Sequence, residues 1–178
     1  MKNSLFVCLF FFFSLSAQSN KNVENGLVKV NVFIPGASYE LGVSQSSTLN
    51  FDVALIPGGR YNSFSGSQLG ILPGAQVEYR YYHNMGRRIS RSKNISGNSG
   101  NYVAAVNQFY LGNSIIGNLR MDSSFYNIVA LSYGIQRTKL KGFYWGISFG
   151  PGVGFSQLDT QPTLFVDAKL GWVISKRK

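Results

Sequence analysis

The sequence predicts an all-β fold, an eight-stranded antiparallel up-and-down transmembrane β-barrel behind a cleaved signal peptide. Three observations predict it. Polar and apolar residues alternate with a period of two through most of the chain. The apolar face of that alternation is rich in aromatics. Charged residues are only 13% of the chain against about 25% in an average soluble domain, and four of the seven acids lie on the opposite face.

The chain has 178 residues, enough for one domain, with 17 Lys and Arg against 7 Asp and Glu and a formal charge of +10. One Cys and one His leave neither a disulfide scaffold nor a Cys/His zinc site. Residues 1–17 run from Met-Lys-Asn-Ser through an apolar stretch, Leu5 to Phe13, to Ser14-Leu15-Ser16-Ala17. A short positive start, a greasy core and a small-residue exit make a secretory signal peptide, and the core is too short to span a membrane as a helix. Cleavage after Ala17 removes Lys2 and Cys8, so the exported chain is free of Cys and carries +9. Residues 18–26 form a short lead, and 27–178 form the barrel.

The strands follow in order. Val28-Lys-Val-Asn-Val32 alternates strictly and marks a strand near 27–34. Ser38-Tyr-Glu-Leu-Gly-Val43 marks 37–44, and Leu49-Asn-Phe-Asp-Val-Ala-Leu55 marks 48–56. Gln76-Val-Glu-Tyr-Arg-Tyr-Tyr82 lies in a strand over 72–83. A segment at 101–112 is a strand whose faces the pattern does not assign. In the strand at 125–138, Val129, Leu131, Tyr133 and Ile135 share one face and Ala130, Ser132, Gly134 and Gln136 the other. Phe143-Tyr-Trp-Gly-Ile-Ser-Phe149 marks 142–155, and Leu164 to Ile174 marks 162–175. Pro57-Gly-Gly59 and Ser96-Gly-Asn-Ser-Gly100 read as connections.

Such a chain is a soluble sandwich, a lipocalin-like barrel or a membrane barrel, and the two faces decide. One carries Phe51, Tyr79, Tyr81, Phe143, Trp145, Phe149 and Trp172 among many aliphatics; the other carries Lys29, Glu40, Asp52, Glu78, Arg80, Asp167 and Lys169. The interior of an eight-stranded barrel is only wide enough for side chains, and this many rings would overfill it. Turned outward the rings meet lipid, and three cations and four anions pair in the lumen, as ions out of water require. Strands of about 9–11 residues suit a bilayer, and closure satisfies every backbone group within it. Inward glycines at 146, 150, 152 and 154 leave room for a ring such as Tyr144 or Phe165, or let the strand curve.

Asn31-Val-Phe-Ile-Pro-Gly-Ala-Ser-Tyr-Glu40 with Leu49-Asn-Phe-Asp-Val53, Glu78-Tyr-Arg-Tyr-Tyr82, Gly142-Phe-Tyr-Trp145, Gly150-Pro-Gly-Val-Gly154 and Asp167-Ala-Lys-Leu-Gly-Trp-Val-Ile174 together resemble the small eight-stranded outer-membrane β-barrels of Bacteroidota-type bacteria. The resemblance implies residence in the outer membrane of a Gram-negative bacterium after Sec export, contact with outer-membrane lipids, and an assembly signal in the last strand. That strand carries Lys169, Gly171, Trp172 and Ile174 of the signal, and departs from it by ending Ser175-Lys-Arg-Lys178 rather than on an aromatic.

Eight strands put both termini in the periplasm, with connections 84–100, 138–142 and 176–178. Connections 35–36, 57–71, 113–124 and 156–161 face outside. Arg87, Arg88, Arg91 and Lys93 make 84–100 strongly basic, suited to phosphates or acidic polymer; a solvated, partly disordered turn is the expectation. Catalytic outer-membrane barrels use a His with a Ser and a carboxylate or amide. The single His83 stands beside Asn84, with no Ser two residues away and no Gly-x-Ser-x-Gly elbow in the chain. The expected protein is therefore a non-enzymatic, monomeric outer-membrane barrel with a plugged lumen and a structural, adhesive or loop-mediated binding role. It uses no cofactor or metal and binds no nucleic acid. A secreted lipocalin-like binder of apolar ligands and a lipid-modifying enzyme are the alternatives.

Overall fold

A computed structural model describes residues 21–63, 66–139 and 141–175. The predicted signal peptide, residues 1–17, and the tail at 176–178 lie outside the described residues.

The chain is all-β. Its strands are β1 (Gly26–Asn31), β2 (Gly36–Gly42), β3 (Ser47–Asn62), β4 (Gly66–Tyr81), β5 (Gly100–Asn113), the two-residue β6 (Ile116–Gly117), β7 (Arg120–Thr138), β8 (Phe143–Ser156) and β9 (Thr160–Val173), with one short helix, α1 (Met85–Ser90). The eight strands other than β6 pair antiparallel with their neighbours along the chain, and β9 returns to β1, closing a ring. Closure removes the sheet edges that would otherwise template aggregation.

The wall is uneven. β1 and β2 are short, and Leu55 N–H still bonds the Pro35 carbonyl in the β1–β2 turn. Beyond it β3 pairs only with β4, down to the Asn62–Gly66 pair. The result is a two-stranded arm roughly 20 Å tall at about 3.3 Å per residue. The region 57–71, expected as a loop, is therefore mostly strand. Pro57 is tolerated there because its missing N–H points to the same side as that of Leu55, where no strand continues. Part of 113–124 joins the arm: β6 pairs with β4 through Gly70–Gly117 and Ile71–Ile116, and Leu119 is buried against Leu72. Gly70 admits this contact, since a Cβ there would lie 2.6 Å from Ser114 Cβ and 2.8 Å from Leu119 Cβ.

At the other end the 84–100 connection is structured, not the solvated turn expected from its composition. It contains α1, and Asn98 and Ser99 are fully buried. Gly97 and Asn98 take the left-handed conformation (φ +59° and +55°), which glycine and asparagine adopt most readily. The Asn98 amide oxygen accepts the Glu24 N–H (2.8 Å), so part of the expected N-terminal lead is drawn into this cap, with Val23 buried against Tyr82 and Met85. The strand at 101–112 also gains its faces: Tyr102, Ala104 and Val106 point inward, and Val103, Ala105 and Phe109 outward.

Candidate functional site

Alternation along β1 to β4 and β9 sends their polar positions inward. Lys29, Glu40, Glu78 and Arg80 are fully buried; Asp52 nearly so, and Asp167 and Lys169 are each 12% exposed. The seven lie in one network. Lys29 Nζ meets Glu40 Oε2 at 2.6 Å. Arg80 grips Glu78 with two parallel bonds, Nε to Oε2 at 2.9 Å and Nη2 to Oε1 at 2.7 Å, the fork geometry that makes arginine–carboxylate pairs strong. Lys169 Nζ is shared by Asp52 (2.7 Å), Glu78 (3.0 Å) and Asp167 (3.2 Å).

Neutral groups satisfy what the ions leave over. Glu40 Oε1 accepts from Thr48 and from the Tyr82 hydroxyl, both at 2.8 Å. Ser38 and Asn50 donate to Asp52. Arg80 stacks 4.8 Å from the Tyr102 ring centroid, and Lys29 lies 5.3 Å from that of Tyr144. Gln136 is the joint between network and cap: its amide oxygen accepts from Lys29 and Arg80, and its amide nitrogen donates to the Gly97 carbonyl at 2.9 Å.

The pattern in sequence did not single out Tyr82, Tyr102 or Gln136. Tyr102 sits over Gly134, where any Cβ would enter its ring. Of the inward glycines of β8, Gly150 and Gly152 give room to the backbone of the neighbouring strand rather than to a ring: a Cβ on Gly150 would run into the Leu131 carbonyl, and one on Gly152 would fall 2.8 Å from the Val129 carbonyl. Elsewhere in the lumen Tyr102, Ala104 and Val106 of β5, Ala130 of β7 and Phe165 of β9 form one apolar cluster. Beside the ions lies a cavity of about 160 Å³, bordered by Asp52, Gln76, Gln108, Asp167 and Lys169 and by Ile34, Ala54 and Ile56.

Outside, Phe51, Tyr79, Tyr81, Trp145, Phe149 and Trp172 are exposed, Phe149 to 55%; Phe143 is half-buried, edge-on to Trp172 with centroids 5.5 Å apart. Val28, Val30, Val53, Val77, Leu131, Ile147, Val166 and Leu170 continue this apolar surface. His83 is exposed at the capped rim, its ring 5.7 Å from that of Tyr133. Around it the basic residues of 84–100 converge. Arg87, Arg88, Arg91 and Lys93 line one open pocket together with Asn84, Asn101 and Arg137.

Comparison with protein families, characterised proteins and solved structures finds no match to this chain.

Proposed function

We propose that this chain is an integral β-barrel of a Gram-negative outer membrane, exported with its signal peptide removed, monomeric and non-enzymatic, with a role carried by the arm it displays. The observation that carries the reading is the polarity of the wall. A continuous apolar, aromatic surface faces out, and seven mutually paired ions face in. In water this arrangement leaves apolar area far beyond the few hundred Å² a soluble monomer exposes; in a bilayer it is the stable one. Outer-membrane lipids are then its surroundings, and the Lys169, Gly171, Trp172 and Ile174 pattern of β9 serves the assembly machinery.

The plugged middle excludes a water channel, as eight strands do in general. The loops expected to present a binding surface, 57–71 and 113–124, come together as the β3–β4–β6 arm, whose Tyr61, Leu69, Ile115 and Ile116 are exposed. That arm is the part offered to partners. A lipocalin-like role is disfavoured by the lumen: its cavity is about 160 Å³, below the 300–1,000 Å³ of small-molecule pockets, and ions form its base. A lipid-modifying role would rest on His83, and His83→Ala separates the two.

Fractionation followed by gels of unboiled and boiled sample tests the reading. The protein is expected in the detergent-extracted outer-membrane fraction, with a mobility that changes on heating. Protein found in the soluble fraction, with no heat-dependent mobility, overturns it.

A further inference from the structure

Arg87, Arg88, Arg91 and Lys93 come from α1 and the turn after it, and Arg137 from the end of β7. Among the described residues none of the five is ion-paired with a carboxylate, and no acid lines their pocket. Two of the guanidiniums are fixed in place. Arg137 donates to the Gly100 carbonyl (2.7 Å) and to Asn101 Oδ1 (2.6 Å), and Arg88 donates to the Asn94 carbonyl (2.6 Å) while its Nε is buried without a partner. Partial burial lowers the Arg88 pKa from its ordinary value, yet a guanidinium stays charged at neutral pH. Held cations with unused donors match a phosphate.

The second observation lies just below, on the same strands. An apolar groove runs down the outer wall, with Ala105 as its floor, Tyr79 and Tyr81 on one bank and Leu131, Tyr133 and Phe149 on the other. The register sets this: Ala105 pairs with Tyr79 on one side and Leu131 on the other, so a methyl stands between two large side chains. Pocket and groove are joined physically. Asn101, in the pocket, donates to the hydroxyl of Tyr133, on the groove, at 2.8 Å, and Asn101 lies two residues before Val103, which also lines the groove. From Asn101 to Ala105 is about 13 Å along β5.

We infer that this rim is a binding site for one anionic phospholipid, its phosphate among Arg87, Arg88, Arg91, Lys93 and Arg137 and an acyl chain in the groove over Ala105. The inference rests on the membrane reading above. A free phosphate or an acidic polymer would explain the pocket but not the groove continuous with it. The number of cations favours a net-negative lipid over a zwitterionic one.

The test uses the purified full chain in detergent micelles. Native mass spectrometry measures retention of phosphatidylglycerol against phosphatidylcholine of identical chains. The wild type is expected to retain one phosphatidylglycerol about tenfold more tightly than phosphatidylcholine. Arg87→Ser/Arg91→Ser/Lys93→Ser, all outside the barrel wall, should abolish the preference, and Ala105→Trp, which fills the groove floor, should weaken retention of phosphatidylglycerol itself. Equal retention of both lipids by the wild type overturns the site. So does Ala105→Trp with undiminished retention while excess inorganic phosphate displaces the lipid, which marks a free-anion pocket. Release by an acidic polysaccharide but not by phosphatidylglycerol vesicles likewise overturns the lipid assignment. Heat-dependent mobility of the same samples is read in parallel. A barrel that shifts on heating but shows no lipid preference overturns this site alone; a chain that stays soluble without detergent overturns both.

Discussion

At the end of the ring that holds residues 21–25 and the 84–100 connection, buried polar groups tie distant segments together, and among the described residues of 21–25, 84–100 and 137–141 the bases Lys21, Arg87, Arg88, Arg91, Lys93, Arg137, Lys139 and Lys141 stand against one acid, Glu24. At the opposite end Arg60 and Arg120 are balanced by Asp122 and Asp159, and the tall arm is held by its own hairpin, β6 and a few apolar contacts. The difference separates two tasks. The capped end fixes the lumen and carries excess positive charge, which suits a surface of anionic headgroups. The arm end projects a nearly neutral two-stranded structure whose loss would leave most of the ring's pairing intact.

The comparison is broken most severely inside the capped half. Glu40 takes hydrogen bonds from Lys29, Thr48 and Tyr82 and faces Arg80 at 3.6 Å. Glu40→Leu leaves Lys29, fully buried, without its carboxylate. The expected loss of stability is about 3–5 kcal/mol, the usual result of orphaning one member of a buried pair, and the Lys29→Met/Glu40→Leu double variant should recover part of it. Denaturant unfolding followed by the loss of heat-dependent gel mobility measures both. A Glu40→Leu protein as stable as the wild type would mean the network is solvated rather than sealed.

A smaller effect is expected at Gly134. Its missing side chain is the seat of the Tyr102 ring, and Tyr102 in turn stacks on Arg80 and lies 5.3 Å from Tyr82. Gly134→Ala must push the ring aside, an overpacking cost of about 1–3 kcal/mol, read in the same unfolding assay. Pairing it with Tyr102→Ala removes the clash, so the double variant should lose less than the two single losses combined.

How much of this was legible follows from what filled each side. In β1 to β4 and β9 charged residues face in and apolar ones out, so alternation alone separated Lys29, Glu40, Asp52, Glu78, Arg80, Asp167 and Lys169 from the rings around them. In β5 the contrast fails. Tyr102, Ala104 and Val106 fill an apolar half of the lumen, while Asn101 and Asn107 lie on the outer face, hydrogen-bonded to Tyr133 and Asn127, and hydropathy cannot tell such faces apart. The arm is hidden because Pro57, Gly58 and Gly59 have the composition of a turn, whereas above Leu55 the missing N–H of Pro57 meets no neighbour strand. The cap is hidden because Ser, Gly and Asn look solvated; their burial comes from partners such as Glu24, 74 residues from Asn98, a separation no local pattern encodes. Gln136 was placed on the right face, but its four hydrogen-bonding partners come from β1, β2, β4 and the cap.

The smallest effect is expected at the arm. Arg60 Nη1 meets Asp122 Oδ1 at 2.7 Å, linking the arm to β7, with side chains 36% and 61% exposed. Its distance matches the Lys29–Glu40 pair to within 0.1 Å, so geometry alone would rank the two together. Solvent decides otherwise. Water and salt screen an exposed pair, ordering two long side chains offsets most of its attraction, and neither charge is stranded when the other goes. Arg60→Ala should therefore unfold indistinguishably from the wild type, and raising the salt concentration should not separate them. A loss as large as that of Gly134→Ala would show that the arm unfolds as one unit with the ring, and would remove the distinction between a fixed end and a displayed one.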